Sequence, residues 1–153
     1  MALWKRIFGG KGGGEVGLLA DLLTDYREEI RLTRQIRDHA EKAPYPTLGE
    51  TLKDMAAEYE RHARLLQEKI LSLGGQVDEA VDEIKGGENS WARLTQDLQD
   101  CKALERRYIE QAIRLDPEMP DIVELLRTLE RETAGQCARL RDLALRSDPH
   151  ALD

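Results

Sequence analysis

Six polar residues stand where the helical spacing of this 153-residue chain calls for apolar ones. Glu29 interrupts the run Leu22, Tyr26, Thr33 and Ile36, and Glu105 interrupts Trp91, Leu94, Leu98, Cys101, Tyr108 and Leu115. Tyr59 and His62 do the same between Leu48 and Leu73, as do Thr133 and Gln136 between Ile122 and Leu143. Folding the chain back on itself near residue 45 sets Glu29 opposite residue 61. A second reversal near residue 118 sets Glu105 opposite residue 131. The interruptions therefore share one height. They also repeat weakly, with an offset of 76 between the two glutamates and 74 between the two pairs. Carboxylates, an imidazole, a phenol, a hydroxyl and an amide at one level can share protons. Tyr59, Thr133 and Gln136 would donate to Glu29 and Glu105, and His62 would take a proton or bridge them. Two buried carboxylates without partners would cost several kcal/mol each, so each needs one.

Four helices must hold these groups. The 3- and 4-residue spacing predicts the first over about residues 15–42, stopped by Ala43-Pro44-Tyr45-Pro46. Thr47-Leu48-Gly49-Glu50 reads as a capping box opening the second, whose stripe is Leu48, Leu52, Met55, Tyr59, His62, Leu66, Ile70 and Leu73. Gly74-Gly75 is its stop. The third begins near Ser90, and Asp116-Pro117 reads as a turn or cap with proline at the first helical position of the fourth. The connection from Gln76 to Asn89 is too long for a tight turn and can run along the bundle with a brief helix of its own. Two antiparallel hairpins joined by such a crossover make an all-α, antiparallel four-helix bundle of the crossover kind.

Composition agrees. Hydrophobic residues make up 41% and charged residues 35%, while aromatics are only 5%, which disfavours a sandwich or barrel and suits amphipathic helices. The net charge is -7, and residues 1–14 hold Lys5, Arg6 and Lys11 without an acid. The remaining 20 basic and 30 acidic residues argue against a nucleic-acid surface. No apolar run reaches the ~18 residues of a membrane span, and a reducing cytoplasm is the default for two cysteines 36 positions apart.

The chain divides into a tail (1–14), a bundle (15–146) and a disordered C-terminal tail (147–153). In the first tail Leu3, Trp4, Ile7 and Phe8 share a helical face, with Lys5 and Arg6 opposite, and a glycine-rich linker follows. This segment reads as an anchor for a membrane surface or a protein partner, or as a frayed terminus docked on its own bundle. Cys101 and Cys137 fall at similar heights on adjacent helices, where a soft-metal or redox role is open but buried free thiols are favoured. Arg27, Arg31 and Arg34 read as a solvated flank, and His39 and His150 have no companion at ligand spacing.

The order of a lone Glu, then a pair ending in His, then the same again resembles the ferritin and rubrerythrin-like di-iron superfamily. The segment from Leu52 to Leu66, with Met55, Glu58, Tyr59 and His62, is most similar to it. The resemblance spans about residues 16–146 and implies a ferritin-like topology, with Glu29, His62 and Glu105 as metal ligands. Tyr59, Thr133 and Gln136 depart from the family's Glu-x-x-His pairs, so three of six ligands remain. A one-residue shift of register would bring Glu58 or Glu132 inward instead. Two carboxylates offset one divalent cation and not two, which argues against a di-iron centre. The favoured expectation is a bundle that has lost di-iron chemistry, binds no cofactor and acts as a structural or adaptor protein tethered by its N-terminus. The alternative is a single Fe, Mn or Zn with weak redox or metal-handling activity. Self-association as a dimer or larger assembly is implied by the resemblance, and a cytoplasmic location at or near a membrane by the tail. No catalytic residue is assigned.

Overall fold

The computed structural model describes residues 12–148, with side chains from residue 17 onward. The tail residues Leu3, Trp4, Ile7 and Phe8 lie outside the described residues, as does the chain after Asp148. Among the described residues four helices make up the fold: α1 (Gly12–Glu41), α2 (Pro46–Ser72), α3 (Ser90–Leu115) and α4 (Pro120–Ser147). Among the described residues there is no strand, and no helix is long and apolar enough to cross a membrane.

The helix ends differ from expectation at three places. Gly12 to Gly14, read as linker, open α1, because a helix nucleated by its buried stripe propagates outward at roughly 1 kcal/mol per glycine. Thr47 does not cap α2: Tyr45 is the N-cap and makes no side-chain cap bond, while Pro46 supplies the pre-set φ of the first turn. Thr51 instead donates back to the Thr47 carbonyl at 3.0 Å. Proline does open α4, but it is Pro120 and not Pro117, and Ser147 belongs to the helix. The Gly74-Gly75 stop is a Schellman turn. Gly74 adopts φ 84°, Gly75 N–H reaches Ile70 O at 2.9 Å, and Gly74 N–H reaches Leu71 O at 3.0 Å.

Polar contacts fix the topology. Along α1 the partners on α3 run backwards, from Asp21–Arg114 through Asp25–Gln111 to Gln35–Asp97. Partners on α2 also run backwards, as Glu29–His62 and Arg37–Glu60 show. Since α2 and α3 are both antiparallel to α1, they are parallel to each other and require a crossover. That connection, residues 73–89, carries no helix. Its acids and glycines cannot bury an apolar face, and side chains of α1 and α3 hold it instead. Arg27 pairs with Asp78 at 2.5 Å, Lys85 N–H donates to Gln35 Oε1 at 2.9 Å, and Lys85 Nζ reaches Asp100 at 3.2 Å. Asn89 then caps α3 by accepting from Ala92 N–H at 2.7 Å.

The apolar core follows the expected stripes on α1, α2 and α4, with Leu22, Ile36, Leu52, Met55, Leu66, Leu126, Leu129 and Leu140 buried. On α3 half of the expected stripe is buried, at Leu94, Cys101, Tyr108 and Ala112, and the rest is displaced. Leu104 is buried, Glu105 and Leu98 are half-buried, and Trp91 is exposed. The displaced inward positions go to Asp97, Asp100 and Gln111, which face a polar side of α1.

This seam sets the strength of the hairpin contact. Asp97 takes His39 Nδ1 at 2.7 Å and Gln35 Nε2 at 2.8 Å, and all three side chains are buried. Asp97→Ala would orphan both partners and is expected to cost about 3 kcal/mol. Asp78→Ala, which breaks an exposed pair, is expected to leave the midpoint nearly unchanged. Urea unfolding midpoints check the contrast.

Candidate functional site

The interior of the bundle at mid-height is polar. Glu29 of α1, Tyr59 and His62 of α2, Tyr108 of α3, and Thr133 and Gln136 of α4 are all buried there. Helical spacing explains the grouping: Tyr59 and His62 are i,i+3, as are Thr133 and Gln136, so each pair shares one face. Tyr108 Oη donates to Glu29 Oε1 at 2.5 Å. His62 Nδ1 lies 3.4 Å from the same oxygen, and His62 Nε2 lies 3.5 Å from Glu132 Oε2. The imidazole therefore spans two carboxylates on different helices. Arg61 holds the outer oxygen of Glu132.

Tyr59 turns away from the carboxylates and donates to Cys101 Sγ at 3.0 Å, with its ring edge-on to His62. Gln136 donates to Glu58, which Arg139 approaches at 3.5 Å from the other side. One turn before Glu29, Asp25 takes Gln111 Nε2 at 2.9 Å and Arg107 Nη2 at 3.0 Å.

Burial dominates the electrostatics. It raises the Glu29 carboxyl above its ordinary range, against the nearby His62 ring and the hydrogen bond from Tyr108, which lower it. It pushes Asp25 up to about 7, with Arg107 and Gln111 opposing and Glu29 adding to the rise. Tyr108 is held well above its usual value by burial and by the Glu29 charge. Tyr59 is raised likewise, by burial and then by Cys101.

Of the three ligand candidates, Glu29 and His62 come together and Glu105 does not join them. The α3 residue that reaches the layer is Tyr108, and beside it Leu104 is buried while Glu105 is half-buried, as Asp97, Asp100 and Gln111 turn against α1. Glu132 reaches His62 instead. Arg31, read as solvated, is buried on Gln35 Nε2's partner Asp100 at 3.3 Å and on Glu28 at 2.7 Å. His39, which has no companion at ligand spacing in the sequence, is buried on Asp97. Asp25, Gln111 and Tyr108 join the site without a sequence motif that singles them out. The i,i+4 spacing of Asp25 with Glu29 was the available signal, but Gln111 and Tyr108 acquire meaning only through contacts 79 to 86 positions away.

A two-metal site needs carboxylates that converge. Here the two that reach His62 face opposite ring nitrogens, so a cation on one nitrogen is turned away from the carboxylate at the other. Tyr59, Thr133 and Gln136 add no second carboxylate–imidazole pair. Among the described residues no three His, Cys, Asp or Glu side chains form a group able to hold a metal ion. Several buried atoms nevertheless make no hydrogen bond to protein groups, including Glu29 Oε2, both His62 nitrogens, Thr133 Oγ1 and Gln136 Oε1.

No protein-family model matches the chain, and no curated protein is similar to it in sequence. Solved structures do match. A ferritin-like, diiron-carboxylate protein from Bacillus anthracis str. Ames superposes with a TM-score of 0.80 at 19% identity, over 85% of this chain and 96% of that one. Rhodobacter capsulatus bacterioferritin, with a metal-free dinuclear site and heme iron, gives 0.76 at 19% identity, over 86% and 93%. The bacterioferritin-related dodecameric thioferritin of Bacteroides fragilis gives 0.77 at 18% identity, over 84% of each chain. The fold is that of the ferritin-like four-helix bundle.

The raised Asp25 carboxyl carries a pH signature. Its protonated form is favoured by folding, so its contribution is present below about pH 4 and lost as pH rises through about 7. Unfolding free energy is expected to fall by up to about 4 kcal/mol between those limits on account of this group. In Asp25→Asn the slope should be shallower, the remaining fall coming from Glu29. Urea titrations at a series of pH values check both slopes.

Proposed function

We propose that this chain uses the ferritin-like bundle as a structural or adaptor protein and has lost di-iron chemistry. The observation that carries the reading is the placement of His62, whose two nitrogens face Glu29 and Glu132 where a metal centre would need them on one ion. Leu104 at the α3 position removes the second central carboxylate, and Tyr59 directs its hydroxyl to a sulfur. What remains is a layer in which protons, not metal charge, neutralise buried carboxylates. Self-association fits the same reading, since the similar Bacteroides fragilis protein is a dodecamer. The tail supplies the tether: Leu3, Trp4, Ile7 and Phe8 offer an apolar face and Lys5, Arg6 and Lys11 a basic one, suited to an anionic lipid surface.

A second reading is a single divalent Fe, Mn or Zn at Glu29 and His62. Glu29 Oε2 and the His62 nitrogens favour it, because all three are buried and make no hydrogen bond to protein groups. In that case Glu105 as third ligand requires α3 to rotate, and Glu132 is the nearer carboxylate.

Metal analysis separates the two. Protein purified without chelator is expected to hold far less than one Fe, Mn or Zn per chain, and added metal should leave its melting temperature unchanged. Near-stoichiometric metal that disappears in His62→Ala would overturn the metal-free reading. For the tether, the full chain is expected to float with vesicles containing phosphatidylserine, and a chain starting at Gly12 to remain at the bottom with an unchanged melting temperature. Equal flotation of both would refute the role of the tail.

A further inference from the structure

On the far side of the polar layer, α3 and α4 bring two free cysteines together. Cys101 Sγ and Cys137 Sγ lie 2.8 Å apart, deep in the bundle. A disulfide bond is about 2 Å long, so closure needs less than 1 Å of approach between adjacent antiparallel helices. The two sulfurs are not equivalent. Cys101 is wholly enclosed, accepting from Tyr59 Oη at 3.0 Å and lying 3.5 Å from the Thr133 carbonyl. Cys137 is 3% exposed, and its α4 neighbours Ala134, Ala138 and Arg141 are exposed.

Electrostatics assign the roles. The hydrogen bond with Cys101 lowers the Cys137 thiol, with Lys102 and Arg141 adding to the effect and burial and Glu105 opposing it. The same bond and burial raise the Cys101 thiol. Cys137 is thus the first thiolate, nearer to solvent, and Cys101 the partner that follows.

We infer that Cys101 and Cys137 form a reversible dithiol–disulfide couple inside the bundle, oxidised by hydrogen peroxide. The Cys137 thiolate attacks one peroxide oxygen, the O–O bond breaks, and the departing hydroxide leaves as water with a proton from solvent. Cys137 becomes a sulfenic acid. The Cys101 sulfur, losing its proton, attacks Cys137 Sγ; the S–O bond breaks, a second water departs, and the S–S bond forms. Two electrons have passed from two thiols to one peroxide. A small dithiol reverses the closure by thiol–disulfide exchange, returning two electrons and two protons, with Tyr59 Oη placed to hydrogen-bond the departing Cys101 thiolate. This couple uses neither Glu29 nor His62, so it stands apart from the question of metal at the central layer.

The test uses the full chain and hydrogen peroxide itself. Protein is exposed to equimolar peroxide, quenched, unfolded in denaturant with N-ethylmaleimide, and weighed intact. Before exposure every chain is expected to take two labels. Afterwards it should take none, weigh two hydrogens less, and remain monomeric on a non-reducing gel. Dithiothreitol should restore both labels. In Cys101→Ser, dimedone is expected to capture a sulfenic acid at Cys137, whereas in Cys137→Ser the remaining thiol should keep its label. Two labels persisting after peroxide, a sulfinic acid without a disulfide, or a disulfide only between chains would each overturn the inference. The unsubstituted chain decides these outcomes, so a poorly folding variant does not weaken the test.

Discussion

The contact between α1 and α3 is the constraint on which the bundle depends, because it is polar where most helix contacts are apolar. Asp25, Arg31, Gln35 and His39 face Asp97, Asp100, Arg107 and Gln111 across it, and all but Arg107 are buried. Apolar faces can slide past one another by a turn at modest cost, but buried charges cannot, since each loses its partner. The seam therefore sets one register between the hairpins and holds the crossover against α1 through Gln35 and Lys85. It also rotates α3, carrying Glu105 away from the centre and Leu104 into it.

That rotation governs the chemistry of the middle of the protein. Glu29 stands at the centre of the layer, where Tyr108 donates to it and His62 lies 3.4 Å away. Tyr59, at a position where the resemblance would place a glutamate, divides the interior into a carboxylate side and a sulfur side. Glu29, Asp25, Tyr59 and Tyr108 all shift toward their protonated forms, as expected where desolvation outweighs the nearby cations.

How much of this was legible differs by element. The second helix was readable almost residue by residue, because its stripe from Leu48 to Ile70 contains only two polar interruptions and both are buried. The third was not. Its spacing admits two stripes one residue apart, one through Leu98 and Glu105 and one through Asp97 and Leu104, and hydropathy favours the first where buried pairing selects the second. Arg31 reads as solvated, and the Asp97 partner of His39 is not visible in the spacing, for the same reason. A charge counts as solvated until a partner some 60 to 70 positions away is known, as with Asp97 and Asp100.

Sequence by itself determined the number of helices, their approximate limits, the pairing into hairpins and the height at which Glu29, Tyr59, His62, Thr133 and Gln136 enter the interior. All of these follow from local periodicity and from turn residues, which act over a few positions. Tertiary structure alone decided the rotation of α3, the exchange of Glu105 for Leu104, the link from His62 to Glu132 and the 2.8 Å approach of the two cysteines. A helix can turn about its axis without altering its own hydrogen bonds. Its rotation is settled only by which buried charges find partners across the bundle.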